Sequence, residues 1–457
     1  MRPHDVVIIG GGFSGIYSAW RLAREGATVA LIEGSHHLGG AMWSFDWRGF
    51  LVDPGTQNLD LRSPIGTEFY RDILRDNLGE SSRTDWASTT DRSWSHGFEM
   101  PDFEKDDPAF CRRALADLAS MKERGHAIDR APDFDGWLRQ RFGPTIADRL
   151  KPMAEKVVGH GTTDLATEAM DALGMFARPK LGSDAEMIAL KSDDSFYDDR
   201  LGVTLTANDP RFQGRSAVRR FGYPVTGALR AFCTSAKARL EELGVTLLLA
   251  TRVQAISHMQ GGLMIESPGL SFVARRAFWT LPDHGLAGLL GVNLDARAVA
   301  HPVGVALYAF EVHRSHVAAL DYLHDFSPAR RAFRYNSCGS YSGQVRGDGT
   351  TYIMAEVPSH PAALAGRLDA TARAQVWSDM RETGFVRPQA EYSAADAWGY
   401  SVAYTLPRLG WQTRTAEAAA AIRDRSGGKI STIASGYRGR HAFMMHYDAV
   451  LQHELRH

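Results

Sequence analysis

The stretch Asp5-Val6-Val7-Ile8-Ile9-Gly10-Gly11-Gly12-Phe13-Ser14-Gly15 decides the fold. Residues 6–9 form a continuous apolar, β-branched run, which predicts a strand buried on both faces. Gly10, Gly12 and Gly15 then complete a GxGxxG pattern. The first glycine permits a tight turn, the second lets the backbone approach a pyrophosphate, and the third lets a helix pack against the strand.

The residues on either side make this glycine pattern specific. Apolar residues follow at helical spacing, at Ile16, Ala19, Trp20 and Ala23. Thr28–Ile32 predicts a second buried strand, and Glu33 closes it. The helix N-terminus offers N–H groups to phosphates, and an acid in this place accepts hydrogen bonds from a ribose diol. The segment therefore predicts a dinucleotide-binding βαβ unit, with Phe13 and Ser14 in its phosphate-binding turn.

The following residues resemble the glutathione-reductase-like FAD proteins. After Glu33 comes a short loop that ends in Gly39-Gly40, and later the turn Asp53-Pro54-Gly55-Thr56. The resemblance covers residues 5–58 and implies FAD rather than NAD. It also implies that Gly39 and Gly40 pass the FAD phosphates, and that Asp53, Gly55 and Thr56 lie beside the flavin ring.

Two later segments extend this resemblance. A predicted helix after Gly227 leads to the strand Val245–Leu249 and then to Val253, whose backbone the resemblance places at the adenine side of FAD. The C-terminal run from Ile430 to Gly436, followed by Tyr437–Asp448, resembles the branch of UDP-galactopyranose mutases and protoporphyrinogen-oxidase-like proteins in the amine oxidase superfamily. That likeness implies flavin contacts for Gly436, Tyr447 and Asp448.

We expect an α/β fold of two interleaved domains, because 457 residues exceed what one compact core usually contains. Residues 1–62, 216–290 and 395–457 are predicted to form a Rossmann-type FAD-binding domain. Residues 63–215 and 291–394 are predicted to form an α+β substrate-binding domain, with a mixed sheet and a helical insertion. Helices are expected over 65–80, 105–155 and 416–425, and strands over 302–312 and 351–357.

Composition excludes several partner classes. The net charge is −1, with 52 basic and 53 acidic residues, so no basic surface for nucleic acid is indicated. The longest apolar runs are too short for a membrane span. Three widely spaced cysteines, Cys111, Cys233 and Cys338, predict neither a disulfide framework nor a zinc site. We expect a cytoplasmic protein without a metal.

Three functions are consistent with these patterns. The leading one is an FAD-dependent oxidoreductase acting on a small polar, anionic substrate such as a nucleotide-linked sugar. The second is a non-redox flavin isomerase like the mutases, although Thr56-Gln57-Asn58 stands where mutases carry a histidine. The third is a binding protein in which FAD is structural. An amine- or protoporphyrinogen-type oxidase is the alternative oxidoreductase.

Candidate catalytic and substrate-binding residues follow from position. Gln57 and Asn58 are candidates for hydrogen bonds near the flavin, and Tyr400 and Tyr404 precede the last FAD segment. Guanidinium forks suit anionic groups, which makes Arg178, Arg211, Arg215 and Arg334 of the substrate domain candidates. Arg408, which also precedes the last FAD segment, is a further candidate. We expect the substrate to bind between the lobes, over the flavin. Since no second GxGxxG unit follows, we expect oxygen or a partner protein to reoxidise the flavin.

Overall fold

The structure is a computed structural model. It describes residues 4–54, 58–61, 63–81, 86–125, 131, 133–192, 194–204, 221–432 and 444. By contact density the chain divides into two units. Unit 1 comprises Met1–Ser82, Arg219–Val299 and Gly410–His457, and unit 2 comprises Arg83–Val218 and Ala300–Leu409.

The described residues form the following strands and helices. The strands are β1 (His4–Ile9), β2 (Val29–Ile32), β3 (Phe45–Trp47), β4 (Phe50–Val52), β5 (Leu59–Asp60), β6 (Leu78–Ser81), β7 (Trp86–Thr89), β8 (Ser95–His96), β9 (Phe221–Pro224), β10 (Thr246–Leu248), β11 (Ala255–Met259), β12 (Gly262–Ser267), β13 (Leu270–Trp279), β14 (Ala300–His313), β15 (Tyr322–Asp325), β16 (Arg334–Asn336), β17 (Thr350–Ser359), β18 (Ala394–Pro407) and β19 (Ile430–Thr432). The helices are α1 (Phe13–Arg24), α2 (Pro64–Leu74), α3 (Pro108–Glu123), α4 (Phe134–Val158), α5 (Asp184–Ser192), α6 (Ser195–Arg200), α7 (Ala228–Glu242), α8 (Asp283–Leu289), α9 (Ala296–Val299), α10 (Cys338–Tyr341), α11 (Ala370–Glu382) and α12 (Trp411–Arg425).

Unit 1 is built on a parallel sheet in the order β10-β2-β1-β13-β19. β12 and β11 extend it as an antiparallel meander beside the first half of β13. Residues of β1 alternate between two cores: Ile8 packs with α1, α2 and α7, and Ile9 packs with α8 and α12. Both faces of the sheet are thus covered, as the continuous apolar run of β1 predicts.

Unit 2 contains a second sheet, in the order β18-β14-β17-β16-β15-β7-β8. It is antiparallel except for the parallel pair β15–β7. One face of this sheet packs on α11 around Tyr308, Ile353 and Trp377. Helices α3 to α6 form a separate core centred on α4, which bends at Gly143 (φ +75°) before Pro144. The predicted fold class, a Rossmann-type domain interleaved with an α+β domain, is confirmed.

Several element limits differ from the predicted ones. The helix expected over 65–80 ends at Leu74, because residues 78–81 instead pair with β9. This pairing also places residues 63–82 in unit 1 rather than in the substrate domain. The helix expected over 105–155 is two helices, α3 and α4. The last helix begins at Trp411, directly after Gly410 in a left-handed conformation.

None of the helices in the described part of the chain combines the length and the apolar character that a bilayer span requires.

Candidate functional site

The glycine turn after β1 has the geometry that the sequence pattern predicts. Gly10 has φ +107°, and a Cβ there would lie 2.4 Å from the Thr280 hydroxyl oxygen. A Cβ on Gly15 would lie 1.8 Å from the Gly10 carbonyl oxygen. These two glycines are therefore required by the protein's own packing, the first through the turn and the second through the contact of α1 with β1.

Gly12 differs from its two neighbours in the motif. Its φ of −71° is open to any residue, and a Cβ there would meet no atom of the described residues within 4 Å. Gly12 is the N-cap of α1, yet it provides no capping side chain, and the first turn of the helix carries no acidic residue. The first turn of α1 thus has no side-chain cap, which is the arrangement of an anion-binding helix N-terminus.

Glu33 lies at the end of β2, beside this turn. Its Oε2 accepts a hydrogen bond from the Gly11 N–H at 2.6 Å, and its Oε1 accepts one from the Ser35 N–H at 2.7 Å. Each carboxylate oxygen has a second lone pair, so a ribose diol can still donate to it. The segment that carries Val253 runs alongside, because the Thr251 N–H donates to the Glu33 carbonyl at 2.9 Å. Val253 itself is half-buried there.

The Gly39-Gly40 turn packs directly on the glycine motif. The Gly39 N–H donates to the Gly11 carbonyl at 2.8 Å, and Gly39 has φ +112°. A Cβ on Gly39 would lie 2.2 Å from the Cys233 sulfur, and one on Gly40 would lie 3.3 Å from the Gly12 Cα. The two predicted phosphate-contacting turns therefore form one cradle.

Asp53 has a different environment from the one its motif suggested. Its carboxylate is fully buried and accepts hydrogen bonds from the Ser44 hydroxyl at 2.6 Å and the Tyr223 hydroxyl at 2.5 Å. It also accepts from the Leu229 N–H, at the start of α7, at 3.3 Å. The side chain thus joins the 44–53 hairpin to α7. Asn58 lies just before β5.

Six predicted cofactor or catalytic residues lie outside the described residues, namely Gly55, Thr56, Gln57, Gly436, Tyr447 and Asp448. Arg211 and Arg215 of the substrate set lie outside them as well.

The remaining substrate candidates lie in unit 2, and most of them pair with acids. Arg334 forms a two-pronged ion pair with Glu356 (2.5 and 2.7 Å from Nη2), its cross-strand neighbour in β17. Arg408 pairs with Asp164 at 2.7 Å. Both guanidinium groups are thus already engaged by a carboxylate, and their role in substrate binding stays a prediction. Arg178 is exposed, and its Nε donates to the Asp199 carbonyl at 3.2 Å.

The two tyrosines of β18 also separate into different roles. The Tyr404 hydroxyl donates to the Val157 carbonyl at 3.0 Å, near the end of α4, which is a packing contact. The Tyr400 side chain is exposed, with a relative accessibility of 36%. Of the pair, Tyr400 is the better candidate for contact with a substrate.

Sequence comparison agrees with the N-terminal geometry. Residues 8–73 match the model of the NAD(P)-binding Rossmann-like domain. A thiamine thiazole synthase from Desulfosudis oleivorans is 56% identical over 39 residues, which are 8% of this chain and 15% of that protein. A coproporphyrinogen III oxidase from Propionibacterium freudenreichii is 27% identical over 177 residues, 36% of this chain and 34% of that protein. The matches thus span about a third or less of these relatives.

Solved structures resemble the whole chain. A reduced UDP-galactopyranose mutase has a TM-score of 0.71 at 16% identity, over 100% of this chain and 94% of that one. A protein assigned as a protoporphyrinogen oxidase from Exiguobacterium sp. 255-15 has a TM-score of 0.67 at 16% identity, and cyclohexylamine oxidase from Brevibacterium oxydans has 0.63 at 16%, both over 100% of each chain. The chain therefore has the fold that these structures share.

The matched Rossmann-like domain agrees with a dinucleotide cofactor, and FAD is the one that the sequence predicts. The residues of unit 1 fit it at two points: the open space over Gly12 accommodates a pyrophosphate, and Glu33 lies one strand away to bind the adenosine ribose. The sequence did not reveal Thr280, whose hydroxyl donates to the Ile9 carbonyl at 2.9 Å and the Gly10 carbonyl at 3.1 Å. It fixes the end of β13 beside the turn.

Proposed function

We propose that this protein is an FAD-dependent oxidoreductase. The observation that carries the proposal is the cradle in unit 1, where the uncapped N-terminus of α1 opens onto the space over Gly12, next to Glu33. The fold supports it, because its likeness to flavoenzyme structures extends over the whole chain. We assign the oxidoreductase class because flavin carries out redox chemistry itself, so that the protein needs only to bind and orient the cofactor and the substrate.

The two units are proposed to bind different molecules. Bound FAD supplies a hydride acceptor. Unit 1 binds and orients the cofactor through the cradle. Unit 2 is proposed to bind the substrate, with exposed Tyr400 as a contact residue and Gln57 and Asn58 of unit 1 as candidates near the flavin.

The proposed substrate is small, polar and anionic, such as a nucleotide-linked sugar. The fold likeness to a UDP-galactopyranose mutase supports this class. Because Arg334 and Arg408 pair with acids, recognition of the anionic group is assigned to Arg178, Arg211 and Arg215. The non-redox isomerase reaction is ranked lower, because Thr56-Gln57-Asn58 replaces the mutase histidine.

A second candidate function is a porphyrinogen or amine oxidase. The match of 177 residues to a coproporphyrinogen III oxidase favours it, as does the paired state of Arg334. Both candidates use the same cofactor, so the substrate alone distinguishes them. In either case oxygen or a partner protein is the proposed electron acceptor. The three free, buried cysteines suit the reducing cytoplasm, which is the proposed location.

The test is anaerobic mixing of the FAD-loaded protein with separate pools of nucleotide diphosphate sugars, porphyrinogens and amines. The proposal predicts that one pool bleaches the visible absorption of the flavin and that admitting oxygen or an artificial acceptor restores it. Spectral perturbation without bleaching, by a nucleotide sugar alone, would support the isomerase instead. A flavin that no pool bleaches or perturbs would contradict an enzymatic role. Arg211→Ala and Arg215→Ala should weaken the response to the sugar pool, and Arg334→Ala should not.

A further inference from the structure

The carboxyl ends of the parallel strands in unit 1 form one edge, at which dinucleotides bind in this class of sheet. Along this edge the strand order is β2-β1-β13-β19. Glu33 follows β2, and the glycine turn follows β1. Asp283 follows β13 at the start of α8, and Thr432 is the last residue of β19.

The order of strands fixes the order in which parts of FAD cross the edge. Adenosine ribose belongs at Glu33 and the pyrophosphate belongs at Gly12, and these lie on adjacent strands about 4.8 Å apart. FAD is a linear molecule, in which the ribityl chain follows the pyrophosphate. Continued in the same direction, the ribityl chain of a bound FAD would pass the ends of β13 and β19, where Asp283 lies.

The loop that carries Asp283 is fixed against the glycine turn. The Thr280 N–H donates to the Ile9 carbonyl at 2.9 Å, and the Trp279 indole N–H donates to the Pro282 carbonyl at 3.1 Å. The Gly285 N–H also donates to the Pro282 carbonyl, at 3.0 Å. The backbone that carries Asp283 is therefore held against the glycine turn.

One oxygen of the Asp283 carboxyl, Oδ1, is buried and has no hydrogen-bond partner among the residues that the structure describes. Burial raises the pKa of this carboxyl to about 6, and the Thr432 side chain counteracts part of that rise. A buried acceptor without a donor is costly, so this oxygen points to a donor outside the described residues.

We propose that the Asp283 carboxylate accepts a hydrogen bond from a ribityl hydroxyl of FAD. Ribityl hydroxyls can donate the hydrogen bond that a buried carboxylate requires, whereas the neighbouring phosphates are anionic acceptors that would repel it. Asp283 thereby discriminates a flavin dinucleotide from a nucleotide that ends at the pyrophosphate. The assignment depends on FAD as the cofactor and is independent of the oxidoreductase activity.

The experiment compares the binding of FAD and ADP to apoprotein, by calorimetry and by quenching of flavin fluorescence. ADP contains the ribose and the pyrophosphate but no ribityl chain. Asp283→Ala should weaken FAD about tenfold, as expected for a lost hydrogen bond to a charged group, and leave the affinity for ADP unchanged. Asp295→Ala is the matched control, because Asp295 is an exposed carboxylate of the same unit, and it should change neither affinity.

An FAD analogue that lacks one ribityl hydroxyl tests the proposed contact directly. Wild-type protein should bind the analogue that lacks the contacting hydroxyl about tenfold more weakly than FAD, and Asp283→Ala should bind both equally. Asp283→Asn keeps the shape of the side chain and tests the charge, so it should give a smaller loss with FAD. Unchanged FAD affinity in Asp283→Ala, or equal losses for FAD and ADP, would overturn the assignment. Because binding is measured without turnover, an inactive enzyme leaves this test intact.

Discussion

Gly15 lies directly against Gly10, so that a Cβ on Gly15 would come within 1.8 Å of the Gly10 carbonyl oxygen. The Gly12 site between them is open, with no described atom within 4 Å of a Cβ. The three glycines of one motif thus serve two different requirements. Two of them are required by the packing of the protein itself, and the third is proposed to make room for the cofactor.

This difference predicts opposite results for two substitutions. Gly12→Asn should leave apoprotein stability unchanged or slightly raised, because asparagine is a good N-cap, but it should abolish FAD binding by filling the phosphate space. Gly15→Ala should lower the yield of folded protein, since β1 and α1 can no longer approach. Flavin content and thermal unfolding of the apoproteins check both. A Gly12→Asn protein that purifies yellow with FAD would contradict the assignment of this space.

Glu33 provides the second prediction. Both of its oxygens accept backbone N–H groups of the cradle, from Gly11 and Ser35, in addition to the proposed ribose contact. Glu33→Gln replaces one acceptor by a donor, so it should destabilise the apoprotein by about 1–3 kcal/mol and weaken FAD more than tenfold. Denaturant unfolding and FAD titration measure the two effects. Glu25→Gln, at the C-cap of α1, is the control and should change neither by much.

The first sixty residues show how much of the fold could be predicted from sequence. β1, α1 and β2 have local signals, namely apolar runs, glycines and helical spacing, and their pairing follows from the motif. The end of α2 had no such signal, because residues 78–81 become a strand only by pairing with β9, far along the chain. Local patterns therefore sufficed for the cradle and failed where a distant strand decided the conformation.

The site residues also differ in whether local sequence or a distant contact determines their role. The glycines of the cradle were predictable from the motif, because Gly10 and Gly39 need a positive φ and Gly15 needs a close approach to β1. The buried role of Asp53 was not, since two of its partners, Tyr223 and Leu229, come from a distant segment. Arg334 could not be distinguished from any other arginine until the β16–β17 register placed it opposite Glu356. Asp283 belongs to no sequence motif. Only the strand order, and an oxygen without a hydrogen-bond partner among the described residues, indicate a role for it.

The Arg334–Glu356 pair is predicted to be structural. Both side chains are partly buried, and the contact is two-pronged, so a double-mutant cycle with Arg334→Ala and Glu356→Ala should give a coupling of about 1 kcal/mol in thermal or denaturant unfolding. Arg178→Ala, which removes an exposed guanidinium, should cost less stability. A zero coupling, together with a lost response to an anionic ligand in Arg334→Ala, would return Arg334 to the substrate site.

Electron supply is open to a direct test. One GxGxxG unit is present in the sequence, and it is assigned to FAD, so we expect no dedicated NADPH site. NADPH mixed with FAD-loaded protein under anaerobic conditions should reduce the flavin slowly and without saturation at micromolar concentrations. Stopped-flow absorbance of the flavin is the measurement. Fast, stoichiometric reduction with micromolar affinity would show that NADPH binds beside the flavin, and it would replace oxygen or a partner protein in the proposed electron flow.

The last prediction concerns a histidine cluster of unit 2. His301, at the start of β14, contacts the His160 ring just after α4, and the His160 ring meets His360 edge-on at 5.3 Å. The charged groups that face the cluster are Asp164, beside His301 at 3.3 Å, and Arg408, which pairs with Asp164. Burial, with the neighbouring His301 and His360, lowers the pKa of His160 to about 4. Burial also lowers the pKa of His301.

These shifts fix the sign of the pH dependence. Imidazoles that stay neutral in the folded protein bind protons more readily when unfolded, with an ordinary pKa near 6.5. Their contribution to stability is complete above that value, is lost as the pH falls from about 6.5 towards 4, and is absent below. The apoprotein should therefore unfold at a lower temperature at pH 5 than at pH 7.5. His160→Gln should flatten this dependence, because it removes the most perturbed proton acceptor, whereas a change at the exposed His258 should not. A pH profile that is equally steep in wild type and His160→Gln would show that other groups cause the acid sensitivity.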